Sequence, residues 1–313
     1  MSKLIYGDLV SVVIPAYNHQ QYIEDALNSV YEQSYQNIEL IVLDDFSKDK
    51  TLEVTQKWAN KKEAEKRFNR IIIEKNKVNL GAHNTINRGL SLANGNALTI
   101  LNSDDLYANN RIEVLMKAAE LNQSDWLFTG MRVIGDDGQR VFSDLAIEIE
   151  AFVDYSSSFP SVSFALLKKN IAATTGNLFF SRFLYGQVGQ FRNLRYCHDW
   201  DFALQACLIS EPFLVDQPLY DYRIHSSNSF SSLKVEQHLE PQIVYRHFFS
   251  ACNAGRCKNS DAPSKLNYPL LFDKLIENDS ILNWAFYLVG HDLPKFDRIG
   301  QSINYSLNIG GES

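Results

Sequence analysis

Short apolar runs rich in β-branched residues alternate with amphipathic stretches through the first 130 residues, and this rhythm constrains the fold more than any other feature. Residues 9–14 form a compact β-branched run stopped by Pro15, which reads as a buried strand. Between residues 20 and 33, Tyr22, Ile23, Ala26, Leu27, Val30 and Tyr31 recur at helical spacing and make one apolar stripe. Further strands are expected at 38–43, 70–74, 97–101 and 126–133, with helices at 49–67, 81–93 and 109–121 between them. Alternation of this kind requires right-handed crossovers. The expected fold is therefore α/β, with a mostly parallel central sheet flanked by helices.

Beyond residue 134 the pattern loosens. The tight turn Gly135-Asp-Asp-Gly138 predicts a hairpin between 131–134 and 139–142, and a loop is expected at 156–160. A strand at 177–180, a helix at 198–209 and short strands at 213–215 and 219–224 follow. From about residue 230 the character is helical again, over 235–252, 265–277 and 280–288. A Ser and Asn cluster near 228–232 marks the expected boundary between a first unit, 1–229, and a helical C-terminal extension, 230–313.

Charge and cysteine content narrow the function. The chain of 313 residues carries 30 Lys and Arg against 37 Asp and Glu, a net charge of −7. A chain this acidic is a poor general binder of phosphate backbone, so nucleic acid is not an expected partner. Cys197, Cys207, Cys252 and Cys257 fit no zinc spacing and read as reduced thiols of a cytoplasmic protein. No run approaches the ~20 apolar residues of a membrane helix, and the N-terminus lacks the pattern of a signal peptide. At most a peripheral bilayer contact is expected, through residues 282–289, a segment that suits a buried helix better.

In open α/β sheets ligands bind outside the carboxyl ends of the strands. Three polar clusters stand there: Pro15-Ala-Tyr-Asn18, Asp44-Asp45 and Asn102-Ser-Asp-Asp105. Either acidic pair alone could cap a helix. Together they point to a divalent cation facing a diphosphate. Glycine-rich dinucleotide and P-loop cradles are absent from the sequence, so metal is the expected neutraliser of phosphate charge.

The segment Val10-Ser-Val-Val-Ile-Pro-Ala-Tyr-Asn18, followed by Leu43-Asp-Asp-Phe-Ser-Lys-Asp-Lys-Thr51, resembles the opening of glycosyltransferase family 2. Asn79-Leu-Gly-Ala-His-Asn-Thr-Ile-Asn87, Ala93-Asn-Gly95 and Leu101-Asn-Ser-Asp-Asp-Leu106 continue the likeness. So do Gly176-Asn-Leu-Phe-Phe-Ser-Arg182, His198-Asp-Trp-Asp201 and Tyr222-Arg-Ile-His225. The resemblance spans roughly residues 8–230 and implies a GT-A fold, with a nucleotide-sugar half to about residue 106 and an acceptor half over 107–229. It implies an inverting transfer from a nucleotide-diphosphate sugar, UDP-linked in this reading, to a glycan or lipid-linked glycan, with Mn²⁺ or Mg²⁺ as cofactor.

Carried over by position, Asp45 resembles the acceptor of a base N–H, and Pro15, Ala16, Tyr17 and Asn18 resemble the wall beside that base. Asn87 and Asp104 join the nucleotide set. Asp104 and Asp105 match the metal-binding acidic motif, in which one carboxylate coordinates the ion and the other contacts the ribose, in either order. His225 matches a histidine that closes over the diphosphate or the metal, and Arg223 either a phosphate contact or an ion-pair partner. Asp199 matches the general base, which takes the acceptor proton as its oxygen attacks. Asp201 is the weaker alternative, since two residues along a helix it faces elsewhere. The chain departs from the family at Phe46 (usually Gly), Asn102 (usually Asp) and His198 (usually Glu). A catalytically idle sugar-nucleotide binder and a sugar-1-phosphate nucleotidyltransferase are the rival readings.

Overall fold

The β-branched runs become strands because both of their faces are covered. Val10, Val12, Val13 and Ile14 of β1 (Val10–Ala16) are wholly shielded, and every residue of β2 (Ile38–Asp44) is buried. β1 pairs in parallel with β2 and with β4 (Ala97–Ile100), and β2 pairs in parallel with β3 (Arg70–Lys75). Four helices lie in the crossovers: α1 (Ile23–Tyr31), α2 (Thr51–Lys61), α3 (Ala64–Arg67) and α4 (Ala82–Leu92). The helix expected over 49–67 is thus two, because Glu63 adopts a left-handed φ of 49° between α2 and α3. A computed structural model describes residues 4–226 and 233–279, together with 281, 282, 285 and 289.

The second half adds β5 (Leu106–Tyr107), α5 (Arg111–Asn122), β6 (Trp126–Ile134), α6 (Asp144–Glu150), α7 (Phe152–Ser156) and α8 (Val162–Lys168). A 3-10 turn at Thr175–Asn177 leads into β7 (Phe179–Ser181), α9 (Arg182–Val188), α10 (His198–Cys207) and β8 (Phe213–Arg223). Helices α11 (Glu236–Asn253) and α12 (Pro269–Glu277) complete the described elements. All eight strands form one sheet in the order β3-β2-β1-β4-β7-β6-β8-β5. β7 runs antiparallel to both β4 and β6, β8 parallel to β6, and β5 antiparallel to β8. The sheet is therefore mixed, and its fully parallel part is the first four strands.

Two local expectations change. The turn at 135–138 forms, with Gly138 at φ 75°, but its second arm contributes only an isolated bridge from Arg140 to Ile134 before α6 begins. The two strands expected at 213–215 and 219–224 are a single β8. Its pairing with β6 slips at Gly130, which faces Pro218, so the strand continues past the Asp216-Gln217-Pro218 interruption. The boundary expected at 229/230 lies outside the described residues. Most of segment 282–289 does too, although Leu282 and Ala285 are buried. All four cysteines are free thiols. No helix of the described residues is long and apolar enough to cross a membrane.

Candidate active site

Where β1, β2 and β4 end, their loops are tied to one another. The Asn18 N–H donates to Ser47 Oγ at 3.0 Å, and Lys48 N–H donates to Asn18 Oδ1 at 2.8 Å. Asn18 and Phe46 both take left-handed backbone, φ 54° and 64°, so the position where a glycine was expected does need a glycine-like conformation. Tyr17 and Phe46 stay exposed beside the crevice, while Ala16 is buried and Pro15 partly so.

Asp45 is 3% exposed and holds the loop that precedes α4. Its Oδ1 accepts from Asn76 Nδ2 (2.7 Å) and Leu80 N–H (2.8 Å), and its Oδ2 from Gly81 N–H (2.9 Å). A carboxylate oxygen accepts two hydrogen bonds, so Oδ2 keeps one lone pair. Asn87 is committed elsewhere: its amide donates to Phe191 O at 2.8 Å and accepts from Phe191 N–H at 2.9 Å, tying α4 to the loop before α10.

The expected metal residues separate. Asp104 Oδ2 lies 3.0 Å from His225 Nε2 and 3.8 Å from His19 Nε2, and the ligand atoms of the three all fall within 4.8 Å of one another. Their side chains are 12%, 1% and 21% exposed for Asp104, His225 and His19, so the cluster is sheltered yet open on the His19 side. Ser103 Oγ sits 2.7 Å from His19 Nδ1, leaving Nε2 toward Asp104, and Thr51 Oγ1 accepts the His19 backbone N–H at 2.8 Å. The Tyr22 ring packs on His225 with centroids 4.7 Å apart. Burial lowers the basicity of His19, and the neighbouring His225 adds to this against the pull of Asp104. Burial opposes ionisation of Asp104, but the His225 hydrogen bond and the two imidazoles outweigh it and hold its carboxyl below the usual range.

Asp105 points away from this cluster and into the fold. Tyr220 Oη donates to its Oδ2 at 2.6 Å, Asn102 Nδ2 donates to the same oxygen at 3.0 Å, and Arg223 N–H donates to Oδ1 at 2.7 Å. Burial and the charge of Asp104 push its carboxyl well above the usual range. Arg223 likewise faces inward, its guanidinium donating to the carbonyls of Asp104 (2.7 Å), Gly135 (3.0 Å) and Asp136 (3.0 Å). Gly176 lets the Tyr220 hydroxyl approach, since a Cβ there would stand 1.9 Å from it. Asp105 is thus a latch between the β4 end and β8, with Tyr220 in turn packed against the buried guanidinium of Arg111 at 5.2 Å.

On the acceptor side, Asp199 occupies the first turn of α10 and is 8% exposed. Its Oδ1 accepts from Trp200 N–H at 2.7 Å and its Oδ2 from Asn170 Nδ2 at 3.0 Å, which leaves acceptor capacity on each oxygen. Burial pushes its carboxyl up, partly offset by His198. Asp201 is 2% exposed and bound by Arg192 (3.0 Å) and His247 (2.9 Å), away from Asp199. His198 Nε2 lies 3.0 Å from Thr175 Oγ1.

Sequence reasoning missed His19, Tyr22, Tyr220 and Asn170. His19 had a signal, standing one residue after the polar cluster that ends β1. The others are brought in by side-chain packing over long sequence separations.

A family described as Glycosyl transferase family 2 matches residues 11–188. A glycosyltransferase of Bacillus subtilis (strain 168) named TuaG, ascribed provisionally to teichuronic acid biosynthesis, is 28% identical over 262 residues, 80% of this chain and 96% of its own. Among solved structures, residues 1–349 of S. aureus TarS in complex with UDP-GlcNAc are similar at TM-score 0.57 and 20% identity, over 90% of this chain and 79% of that one. The mannosyltransferase PcManGT from Pyrobaculum calidifontis, in complex with GDP-Man and Mn²⁺, is similar at TM-score 0.60 and 18% identity, over 98% of this chain and 83% of that one. At these identities the structural likeness is one of fold, and it bears out the expected GT-A architecture.

Proposed function

The chain belongs to glycosyltransferase family 2 and is a glycosyltransferase, and on that premise we propose that it moves a sugar, with inversion, from a nucleotide-diphosphate donor to a hydroxyl of a glycan or lipid-linked glycan. The donor in this reading is UDP-linked. The observation that carries the proposal is the meeting of His19, Asp104 and His225 at the carboxyl edge of the parallel strands. Two imidazoles and a carboxylate are a fitting donor set for a divalent ion, the carboxylate being the donor that suits Mn²⁺. Such an ion, when bound, supplies positive charge for the leaving diphosphate. His19 thereby replaces Asp105 in the ligand set expected from sequence.

The positions of side chains support the remaining roles in this reading. Tyr17 offers a flat, exposed wall to a base, and the open lone pair of Asp45 Oδ2 suits the N3–H of uracil. Asp199 takes the proton of the acceptor hydroxyl while that oxygen attacks the anomeric carbon, and the bond to the diphosphate breaks. We keep residues 1–229 as the transferase unit and 230–313 as its extension. The S. aureus neighbour was solved with UDP-GlcNAc and the Pyrobaculum neighbour with GDP-Man and Mn²⁺, which supports a nucleotide-sugar donor. The name of TuaG, which ascribes it to teichuronic acid biosynthesis, supports a bacterial polysaccharide as product. We place the enzyme in the cytoplasm, with at most peripheral contact to a bilayer.

The test is a panel of UDP- and GDP-sugars assayed for nucleotide release with and without Mn²⁺, alongside calorimetry of UDP, CDP and GDP. Turnover that requires metal, and UDP bound more tightly than CDP, are the expected results. His19→Ala should raise the Mn²⁺ needed for half-maximal activity by about tenfold or more. Turnover unaffected by excess EDTA would overturn the metal assignment. Nucleotide binding without turnover of any donor would favour the idle binder.

A further inference from the structure

The family match stops at residue 188, yet the start of α10 is gripped by a helix that begins only at Glu236. Glu240 of α11 is 7% exposed. Its Oε1 accepts the backbone N–H of Arg195 at 2.8 Å, and its Oε2 accepts those of Tyr196 and Cys197, each at 2.8 Å. Three successive N–H groups converging on one point make a concavity that ordinarily takes an anion from outside. Here the chain fills it with its own carboxylate. Two neighbours on the same side of α11 extend the grip: Glu236 pairs with Arg195 at 2.7 Å, and His247 Nδ1 stands 2.9 Å from Asp201 Oδ1. Residues 236, 240 and 247 recur at helical spacing, so one face of α11 holds the backbone before Asp199 and the side chain after it.

We propose that Glu240 is a positioning residue for the Asp199 carboxylate, so that the C-terminal extension completes the catalytic site. The proposal rests on the reading of Asp199 as the base. An amide at position 240 could accept at one oxygen only and would turn its own donors toward N–H groups. The backbone of 195–197 must then shift to find other acceptors, and it carries Asp199 with it. A displacement of about 1 Å costs a reaction of this kind ~10²-fold.

The experiment compares Glu240→Gln, Asp199→Asn and the double variant. The readout is Mn²⁺-dependent nucleotide release from whichever UDP- or GDP-sugar the unaltered protein hydrolyses fastest, with water as acceptor. Glu240→Gln should lower kcat by about tenfold or more while the donor KM stays within about twofold, because the donor site lies elsewhere. In the Asp199→Asn background the same change should cost less than about twofold more, since the group it positions is already gone. If the loss persists in full in that background, or KM rises in step with the fall in kcat, Glu240 supports the fold in general and the proposal is overturned. Full activity of Asp199→Asn would instead remove the base assignment, and this proposal with it. Should Glu240→Gln not fold, Glu240→Asp retains the charge one methylene further back and carries the same test, with rate lost and donor binding kept.

Discussion

Two adjacent aspartates, indistinguishable by type and position in the sequence, have opposite surroundings. Asp104 looks into the crevice with His19 and His225, whereas Asp105 is enclosed by three donors. Sequence could locate the pair after β4 but not divide their roles, because the division is made by Tyr220 and Arg223 from a strand more than a hundred residues away. Asp105→Asn should therefore cost about 1–3 kcal/mol of stability, since buried donors would face an amide. Asp104→Asn should leave urea unfolding nearly unchanged but remove most Mn²⁺-dependent UDP binding. The reverse pattern in unfolding and calorimetry would make Asp105 the ligand. For Asp199 the sign follows from burial, which raises its carboxyl. A base acts when ionised, so kcat/KM should fall as pH drops, with a midpoint above the ordinary ~3.9 of aspartate. That acid limb should be missing from the residual rate of Asp199→Asn. A midpoint at or below the ordinary value would count against the role.

At the level of elements, the parallel strands were plain from sequence because each is a dense apolar run with a polar stop. The helices of the second half were not. α6, α8 and α9 have seven residues each, too short for periodicity to declare itself, and α7 has five. Their start signals are nonetheless present: Ser143, Ser161 and Ser181 cap α6, α8 and α9 by accepting the N–H of Ala146, Phe164 and Leu184. The break between α2 and α3 carries no such mark, for nothing in the sequence asks Glu63 to turn left-handed. It does so where the apolar stripe must be re-aimed to bury Trp58 and Ala64 together. Glu63→Gly removes the Cβ cost of that backbone and should raise stability by about 1 kcal/mol. Thermal unfolding reads this directly, and a fall in Tm would show that the exposed Glu63–Lys66 pair matters more.

Over the whole molecule, the proposed site draws on more chain than the family match covers. Residues 11–188 supply Asp45 and Asp104, but His225 follows β8, Asp199 opens α10 and Glu240 lies on α11. β8 also pairs along most of β6 and carries the buried Tyr220 and Arg223. A chain ended after residue 188 should consequently show no cooperative unfolding transition, because β6 would lose β8 from one of its two edges and Asp105 two of its donors. A sharp transition from that fragment would contradict the account. The hydrogen-bonded ladder from β4 through β7 to β6 has a further consequence. On the proposed roles, donor and acceptor groups stand on one girder, which runs without a break through the described residues from β3 to β5. On the proposed function, admitting the donor and releasing the spent nucleotide then fall to the loops above the girder. Spin labels at the exposed positions Lys61 and Asn122, on opposite halves, should keep their separation to within roughly 1 Å when UDP and Mn²⁺ are added. If the proposed transfer holds, the sheet fixes the spacing between its two chemistries, and only the rim has to move.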